Sequence, residues 1–235
     1  MIRSVLGSRA SIGGVLGSGR GGAAAAWYLA GGVSAANCAA AYQPIGAASL
    51  SASYDNIAAP GNGLADGTYD AAPGVAPTFD TATGWTLAGS QYLTTGVVPV
   101  NNQTWSLIVR FSNVGSFGVP VFACASAAGA TPYLGVEPWD NASNSRRYFA
   151  GNIYSTSTRV DNGVMAVAGN QGYYNGSADG GTIGTATGTF QAIFIGKLGL
   201  YNGFWFTGKI QALAIYNATL SAAQVAAISA AMAAL

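Results

Sequence analysis

The chain has 235 residues, of which 50% are hydrophobic and only 7% are charged, and its formal net charge is +1. This length suits one large all-β domain with an extension, and the apolar content is sufficient for a core. Nucleic-acid binding is not expected, because the nine Lys and Arg residues are scattered and form no basic stripe.

The ionisable side chains restrict the chemistry further. The sequence has no histidine, which excludes Ser-His-Asp catalysis, Cys-His catalysis and histidine-ligated zinc. Glu137 is the only glutamate, and no two of the seven aspartates lie closer than four residues in sequence. A glycosidase needs two facing carboxyl groups, and no motif supplies such a pair. We therefore expect no enzymatic activity, no catalytic residue, no metal site and no cofactor.

The first 35 residues are predicted to form an extended N-terminal anchoring arm, followed by one domain over residues 36–235. The arm has three arginines, no acid and many glycines, and it is predicted to dock against another subunit. The alternative is a signal peptide, with residues 23–33 as its apolar region and Val33-Ser34-Ala35 as its cleavage site. The long, glycine-broken start favours the arm. The predicted anchors are Ile2, Arg3, Val5, Leu6, Arg9, Ile12, Val15, Leu16 and Arg20.

Short β-runs alternate with turn clusters from residue 38 onward, at the spacing of a two-sheet sandwich. The sequence GWTLAGSQYLTTG, residues 84–96, predicts a hairpin, and residues 104–113 predict a strand whose side chains alternate in direction. Asn175-Gly176 is a strong turn signal between two strands. Residues 190–199 and 208–217 read as two further buried strands. Cys38 and Cys124 stand in apolar surroundings and are predicted to be buried thiols rather than a disulfide.

The chain finishes on a predicted amphipathic helix. Ser221 suits the N-cap, and Gln224 three residues later completes a capping box. Leu220 and Val225 occupy the two positions of a hydrophobic staple. Val225, Ile228 and Met232 recur at helical spacing and predict one face packed against a sheet. The segment is short and has no basic face, so no membrane role is expected.

The order of these elements resembles the laminin G-like, concanavalin A-like jelly roll over most of the chain. The resemblance is carried by a set of short motifs: Gly89-Ser90-Gln91-Tyr92-Leu93, residues 104–111, Tyr173-Tyr174-Asn175-Gly176, Ile195-Gly196, Gly208-Lys209-Ile210, Ile215-Tyr216-Asn217 and Leu220-Ser221. The last motif, Leu220-Ser221, is the most specific, because in this family the last strand runs through Leu-Ser into a short helix that covers the sandwich. The resemblance implies an all-β, two-sheet antiparallel jelly roll with one C-terminal helix.

Two positions depart from the family pattern. The family often has Asp before the hairpin tyrosine and Asp after Gly-x-Ile, whereas this chain has Gln91 and Gln211 there. A calcium-dependent role at those positions is therefore not expected. The glutamate-rich catalytic strand of related endoglucanases is also missing, and the fold alone does not define a function.

Aromatic residues beside Asn or Asp are the candidates for ligand binding, because rings stack on sugars and polar groups fix their orientation. Tyr148 and Phe204 are further aromatic candidates. Half or more of the aromatic candidates are expected to be core or subunit contacts. Arg146-Arg147 is expected to be a solvated or interface pair. The ligand-binding candidates are Trp139, Asp140, Asn141, Tyr173, Tyr201 and Trp205.

Taken together, the sequence favours a non-enzymatic phage virion protein, a capsid decoration or fibre protein at the virion surface. Its lectin-like outer domain would be able to bind host surface glycans. Its expected partners are other virion subunits, including copies of itself in a homo-oligomer such as a trimer, with no nucleic acid and no membrane. The alternative is a secreted, extracellular carbohydrate-binding module or adhesin.

Overall fold

The fold was analysed in a computed structural model, which describes residues 26–58, 68–126, 132–140, 143–150, 153–186, 189–200 and 203–235. Two antiparallel sheets of eight and seven strands face each other, and one α-helix follows near the C-terminus. The predicted all-β, two-sheet antiparallel sandwich is therefore confirmed. No helix in the described ranges is long and apolar enough to span a bilayer.

The chain crosses repeatedly between the two sheets. The eight-stranded sheet runs in the spatial order β13 (Ser177–Thr182), β12 (Gln171–Tyr174), β11 (Gly163–Ala168), β6 (Ser106–Ser112), β15 (Thr207–Tyr216), β4 (Gly84–Ala88) and β3 (Thr78–Asp80), with β1 (Cys38–Tyr42) also paired to β15. The seven-stranded sheet runs in the order β10 (Ile153–Thr158), β9 (Ser145–Ala150), β8 (Pro132–Asp140), β7 (Phe122–Ala125), β14 (Phe194–Ile195), β5 (Tyr92–Thr94) and β2 (Ala72–Val75). Strands β7 to β10 are consecutive in this sheet, and β11 to β13 are consecutive in the other.

The predicted hairpin over residues 84–96 is wrong. β4 and β5 are both strands, but β4 pairs with β15 and β3, whereas β5 pairs with β14 and β2 in the other sheet. The intervening Gly89, with a φ of 110°, lies where the chain crosses between the sheets. The predicted strand over residues 190–199 is likewise only two residues long, with isolated bridges on both sides.

The turn at Asn175-Gly176 is confirmed. Both residues have positive φ, at 47° and 82°, as a two-residue hairpin turn requires, and they join β12 to β13. The Asn175 side chain also accepts a hydrogen bond from the backbone nitrogen of Val164 at 2.9 Å, which ties the turn to β11.

The main core lies between the sheets. Leu107, Val109 and Phe111 of β6 point into it, as the alternation predicted, and face such residues as Leu134 and Val136 of β8. Cys124 is buried in this core, and Cys38 is buried beneath the helix. Both are free thiols, as expected, and burial raises the pKa of each to about 12.

The outer face of the eight-stranded sheet is covered by the helix α1 (Ala222–Ala233). Ser221 is its N-cap, and the capping box with Gln224 is formed in both directions. Val225, Ile228 and Met232 are fully buried against the sheet. Residues 1–25 lie outside the described residues; Trp27 and Val33, also in the predicted arm, are buried in the same cluster as the helix.

One edge of the sandwich is closed by a polar bridge between the sheets. Arg146 on β9 donates from Nε to the Asp179 carboxylate on β13 at 2.6 Å, and the Tyr148 hydroxyl donates to the same carboxylate at 2.5 Å. These bonds hold the pKa of Asp179 below its usual value, even though burial acts in the opposite direction. Arg146 is 7% exposed, so the expectation of a solvated arginine fails here, because its charge is paired inside the fold.

Candidate functional site

Within the described ranges, the outer face of the seven-stranded sheet is partly covered by a loop before the last strand. This covering loop comprises residues 196–200 and 203–206, whose backbones pair through a bond from the Phe206 nitrogen to the Gly196 oxygen at 3.0 Å. Leu198 packs on Ala123 and Ala125, the two outward residues of β7. The loop therefore divides this face of the sheet into two halves.

Small side chains beneath the loop make this close approach possible. A Cβ at Gly135 on β8 would stand 2.5 Å from the Cβ of Ala123. A Cβ at Gly199 in the loop would stand 2.7 Å from the Cβ of Ala125. Both contacts are too short for real atoms. Glycine at position 135 therefore allows the close pairing of β8 with β7, and glycine at position 199 allows the loop to lie against Ala125.

A pocket of about 160 Å³ lies beside the covering loop, on the half of the face formed by β8 and β9. Its floor carries one carboxyl group and one guanidinium group, and its walls are mainly apolar. The residues that line it are Gly118, Pro120, Glu137, Arg147, Phe149, Leu198 and Phe204.

Glu137 is the most unusual group in this pocket. It is 2% exposed, and its Oε1 atom has no hydrogen-bond partner among the described residues. Burial raises the pKa of Glu137 to about 8, which the positive charge of Arg147 partly opposes and the Asp140 carboxylate reinforces. The raised pKa favours the neutral carboxylic acid form of this side chain, which is able to donate and to accept hydrogen bonds.

Arg147 is held in place by Asp140. The two residues form an ion pair with an Nη2–Oδ2 distance of 2.6 Å, and Arg147 lies opposite Glu137 in the pairing of β8 with β9. The Asp140 carboxylate also accepts bonds from the Ser143 backbone nitrogen and hydroxyl, at 3.1 and 2.6 Å. Asp140 thus positions the arginine and is itself 5% exposed.

An aromatic cluster on the other half of the face anchors the covering loop. Lys197 Nζ lies 4.6 Å from the ring centroid of Tyr92 and 4.8 Å from that of Trp205, with Phe194 at 6.0 Å. Such cation–π contacts are stabilising, more so when water is excluded, and Lys197 is 5% exposed. The cluster fixes the loop that carries Leu198 and Phe204 into the pocket.

A partly exposed aromatic pair lies near the pocket rim. The Phe117 ring meets the Trp139 ring edge-on at 5.7 Å, and the Arg159 guanidinium carbon lies 3.7 Å from the Trp139 centroid. Gly118, which lines the pocket, donates its backbone N–H to the Trp139 oxygen at 2.8 Å. Phe117 is 52% exposed, so this pair presents an apolar surface next to the pocket.

The structure separates the candidates that were predicted from the sequence. Trp139 lies near the pocket rim, Asp140 positions Arg147, and Trp205 belongs to the aromatic cluster around Lys197. Tyr173 is buried beneath α1, on the opposite side of the molecule. Tyr148 is fully buried, and Phe204 lines the pocket. Asn141 and Tyr201 lie outside the described residues.

Sequence reasoning missed the central groups of the pocket, Glu137, Arg147 and Phe149. The one available signal was the alternation along β9, which puts Arg147 and Phe149 on the face opposite to Tyr148. No group of three or more His, Cys, Asp or Glu side chains in the described part of the chain could hold a metal ion. Gln91, at one position where the family often has Asp, accepts bonds from the backbone nitrogens of Ala88 and Ser90.

No protein-family model matches the sequence, and no curated protein matches it. Among solved structures, domain 4 of AbnA, a GH43 extracellular arabinanase from Geobacillus stearothermophilus in complex with arabinotriose, is similar with a TM-score of 0.54 and 15% identity, over 82% of this chain and 98% of that one. A mutant of Trypanosoma rangeli sialidase displaying trans-sialidase activity gives a TM-score of 0.51 and 16% identity, over 68% of this chain and 30% of that one. The chain thus spans less than a third of the sialidase but nearly all of the arabinanase domain. At these identities the likeness shows the fold alone, a β-sandwich domain.

Proposed function

We propose that this protein is a non-catalytic carbohydrate-binding module that binds one sugar unit in the pocket beside the covering loop. The observation that carries the proposal is the buried Glu137 carboxyl group, next to Arg147 and between the apolar walls of Phe149 and Phe204. This combination suits a sugar, because hydroxyl groups require polar partners while the C–H faces of the ring pack on apolar surfaces. The arabinotriose on domain 4 of AbnA supports the proposal by likeness of fold.

The size of the pocket limits the ligand. A volume of about 160 Å³ is well below the roughly 300–1,000 Å³ of sites for drug-sized ligands. A single sugar unit would fill it, and a longer glycan would continue outside, past the exposed Phe117 and Trp139. Glu137 would donate to one hydroxyl group, and Arg147 would donate to another.

The arrangement favours binding over hydrolysis. Glycoside hydrolysis needs two carboxyl groups placed on either side of the scissile bond. The Asp140 carboxylate is committed to Arg147 and Ser143, so Glu137 is the only carboxyl group that lines the described pocket. Glycans should therefore bind unchanged.

Calorimetric titration with arabinotriose and a panel of other short glycans tests this proposal. Phe204→Ala should weaken the binding of whichever glycan is bound by roughly tenfold, the effect of losing about 1.4 kcal/mol of ring contact. Phe79→Ala is the matched control, a half-buried phenylalanine on β3 of the other sheet, and should leave binding unchanged. Equal affinities of all three proteins, or no glycan bound, would exclude the pocket. Turnover that Glu137→Gln abolishes would show an enzyme instead.

We further propose that the module acts at a virion surface and is anchored by the N-terminal arm. The support comes from the sequence: an acid-free, glycine-rich arm precedes a low-charge sandwich that lacks catalytic motifs. Under this proposal its partners are other virion subunits, in a homo-oligomer, with a host glycan at the pocket. The secreted module is the alternative. The anchoring residues from Ile2 to Arg20 lie outside the described residues.

A further inference from the structure

A second cavity, of about 270 Å³, lies on the opposite side of the molecule from the proposed sugar pocket. It opens on the outer face of the eight-stranded sheet, at Ala233, where α1 ends and no longer covers the strands. Its polar lining comes from β6, β15 and the turns next to β11. These polar residues are Arg110, Ser112, Asn162, Asn175 and Gln211.

Arg110 has few partners for its positive charge. Its Nη1 atom donates to the backbone oxygen of Met232 at 2.8 Å, which uses one of its five N–H donors. No carboxylate of the described residues lies within ion-pair distance of it. Partial burial lowers the pKa of Arg110, the direction expected for a cation that has lost water without gaining an anion.

The strands and the helix that line the cavity contribute positively charged side chains and no acidic ones, and the carbonyl end of α1 adds a partial negative charge that Arg110 meets at Met232. β6, β11, β15 and α1 together contain no Asp or Glu. Lys209 lies opposite Ser112 in the pairing of β15 with β6, and so shares its face of the sheet.

Asp161 directly precedes the cavity residue Asn162 in the sequence, and it forms an ion pair with Arg159 at 2.5 Å. Asp80 on β3 lies on the same outer face of the sheet, since its neighbour Phe79 packs against the inner core, but it forms an ion pair with neither cation and accepts bonds from the backbone nitrogens of Ala82 and Thr83. Neither Arg110 nor Lys209 forms an ion pair with a described residue, so both cations are available to an external anion.

We propose that this cavity is a second ligand site, which binds a carboxylate- or sulfate-bearing ligand such as an acidic sugar. The planar guanidinium of Arg110 suits an oxyanion, and Lys209 adds attraction at the rim. The amide groups of Asn162 and Gln211 supply further donors. Asn175 uses its Oδ1 atom on the Val164 nitrogen, which leaves its NH₂ group for a ligand. The site stands independently of the proposed sugar pocket.

Titrations with glucuronate, sodium sulfate and glucose, at constant ionic strength and followed by NMR chemical shifts, test the proposal. Glucuronate should bind and shift the amides of β6 and β15, whereas glucose should not. Binding of sulfate as well would show that any oxyanion suffices, and binding of glucuronate alone would show a site for sugar acids. Both results support the site.

Variants decide whether the cavity is responsible. Arg110→Gln should weaken binding by roughly tenfold or more, while Arg110→Lys should retain part of it, because a charged partner contributes more than a neutral one. Since Arg110 also caps α1, a second variant is needed: Gln211→Ala should weaken binding, and Gln103→Ala, outside the cavity, should not. Absence of anion binding at millimolar concentrations, equal binding of glucose, or unchanged affinity in both Arg110→Gln and Gln211→Ala would overturn the proposal.

Discussion

Glu137 shows how a single residue acquires its properties from the fold. An isolated glutamate on a strand with alternating side chains would normally face solvent and be ionised. Here the covering loop and the neighbouring strand β9 exclude water from it, so its 2% exposure and raised pKa are consequences of tertiary structure. The sequence shows that this glutamate is unique in the chain, but it cannot show that a distant loop buries it.

The raised pKa of Glu137 predicts a pH-dependent stability. The folded protein holds a proton on Glu137 up to a pH of about 8, whereas the unfolded chain releases it near the ordinary value for glutamate. The free energy of unfolding therefore falls as the pH rises between these two values. Glutamine has no such proton to release. The free energy of unfolding of Glu137→Gln should therefore rise relative to that of the wild type between pH 5 and pH 8, by on the order of 1–4 kcal/mol. Urea denaturation at a series of pH values measures the difference.

Asp80→Asn is the control for this measurement. Asp80 is an exposed acid whose Oδ1 atom accepts bonds from the backbone nitrogens of Ala82 and Thr83, and asparagine retains that oxygen. The free energies of unfolding of Asp80→Asn and the wild type should differ by the same amount from pH 5 to pH 8. A Glu137→Gln difference that is equally flat would show that the carboxyl group is already ionised at pH 7.

At the scale of elements, local patterns predicted the strands better than their partners. The alternation along β6 and the Asn175-Gly176 turn are local signals, and the structure confirms both. The wrong hairpin prediction over residues 84–96 shows the limit of such local signals. A turn signal indicates that the chain reverses direction, but it does not indicate in which sheet the next strand lies. Residues 196–199 of the covering loop were predicted to continue the strand over residues 190–199, because no local signal shows that Leu198 packs on Ala123 and Ala125, more than 70 residues away.

The start of the helix α1 offers a direct test of a local signal. Ser221 accepts a bond from the Gln224 nitrogen at 3.3 Å, and the Gln224 side chain accepts one from the Ser221 nitrogen at 2.9 Å. Ser221→Ala should lower the free energy of unfolding by roughly 0.5–2 kcal/mol through loss of the cap. Ser90→Ala, at an exposed serine outside any helix, should leave it unchanged. Thermal unfolding compares the two, and equal melting temperatures would show that the cap contributes nothing.

At the scale of the whole molecule, the two outer faces are covered in different ways. The eight-stranded sheet is covered by α1 and by Trp27 and Val33, so most of its surface belongs to a second core. Among the described residues, only the covering loop covers the outer face of the seven-stranded sheet, which leaves the pocket at Glu137. The proposed sugar site therefore lies on the outer face that the described side chains cover less.

The N-terminal arm is the last feature to test, and the structure shows where to cut it. Trp27 is 6% exposed, its ring nitrogen donates to the Gln43 side chain at 2.8 Å, and it packs with the helix, so residues from 26 onward support the sandwich. Removing residues 1–25 should leave the melting temperature unchanged, whereas removing residues 1–33 should lower it, because the buried Trp27 and Val33 are lost. If the arm is the anchor, size-exclusion chromatography and a particle-binding assay should show that the shorter truncation no longer assembles. Normal assembly of that folded protein would exclude the arm as the anchor and favour the secreted module, while failure to fold would place residues 1–25 in the core.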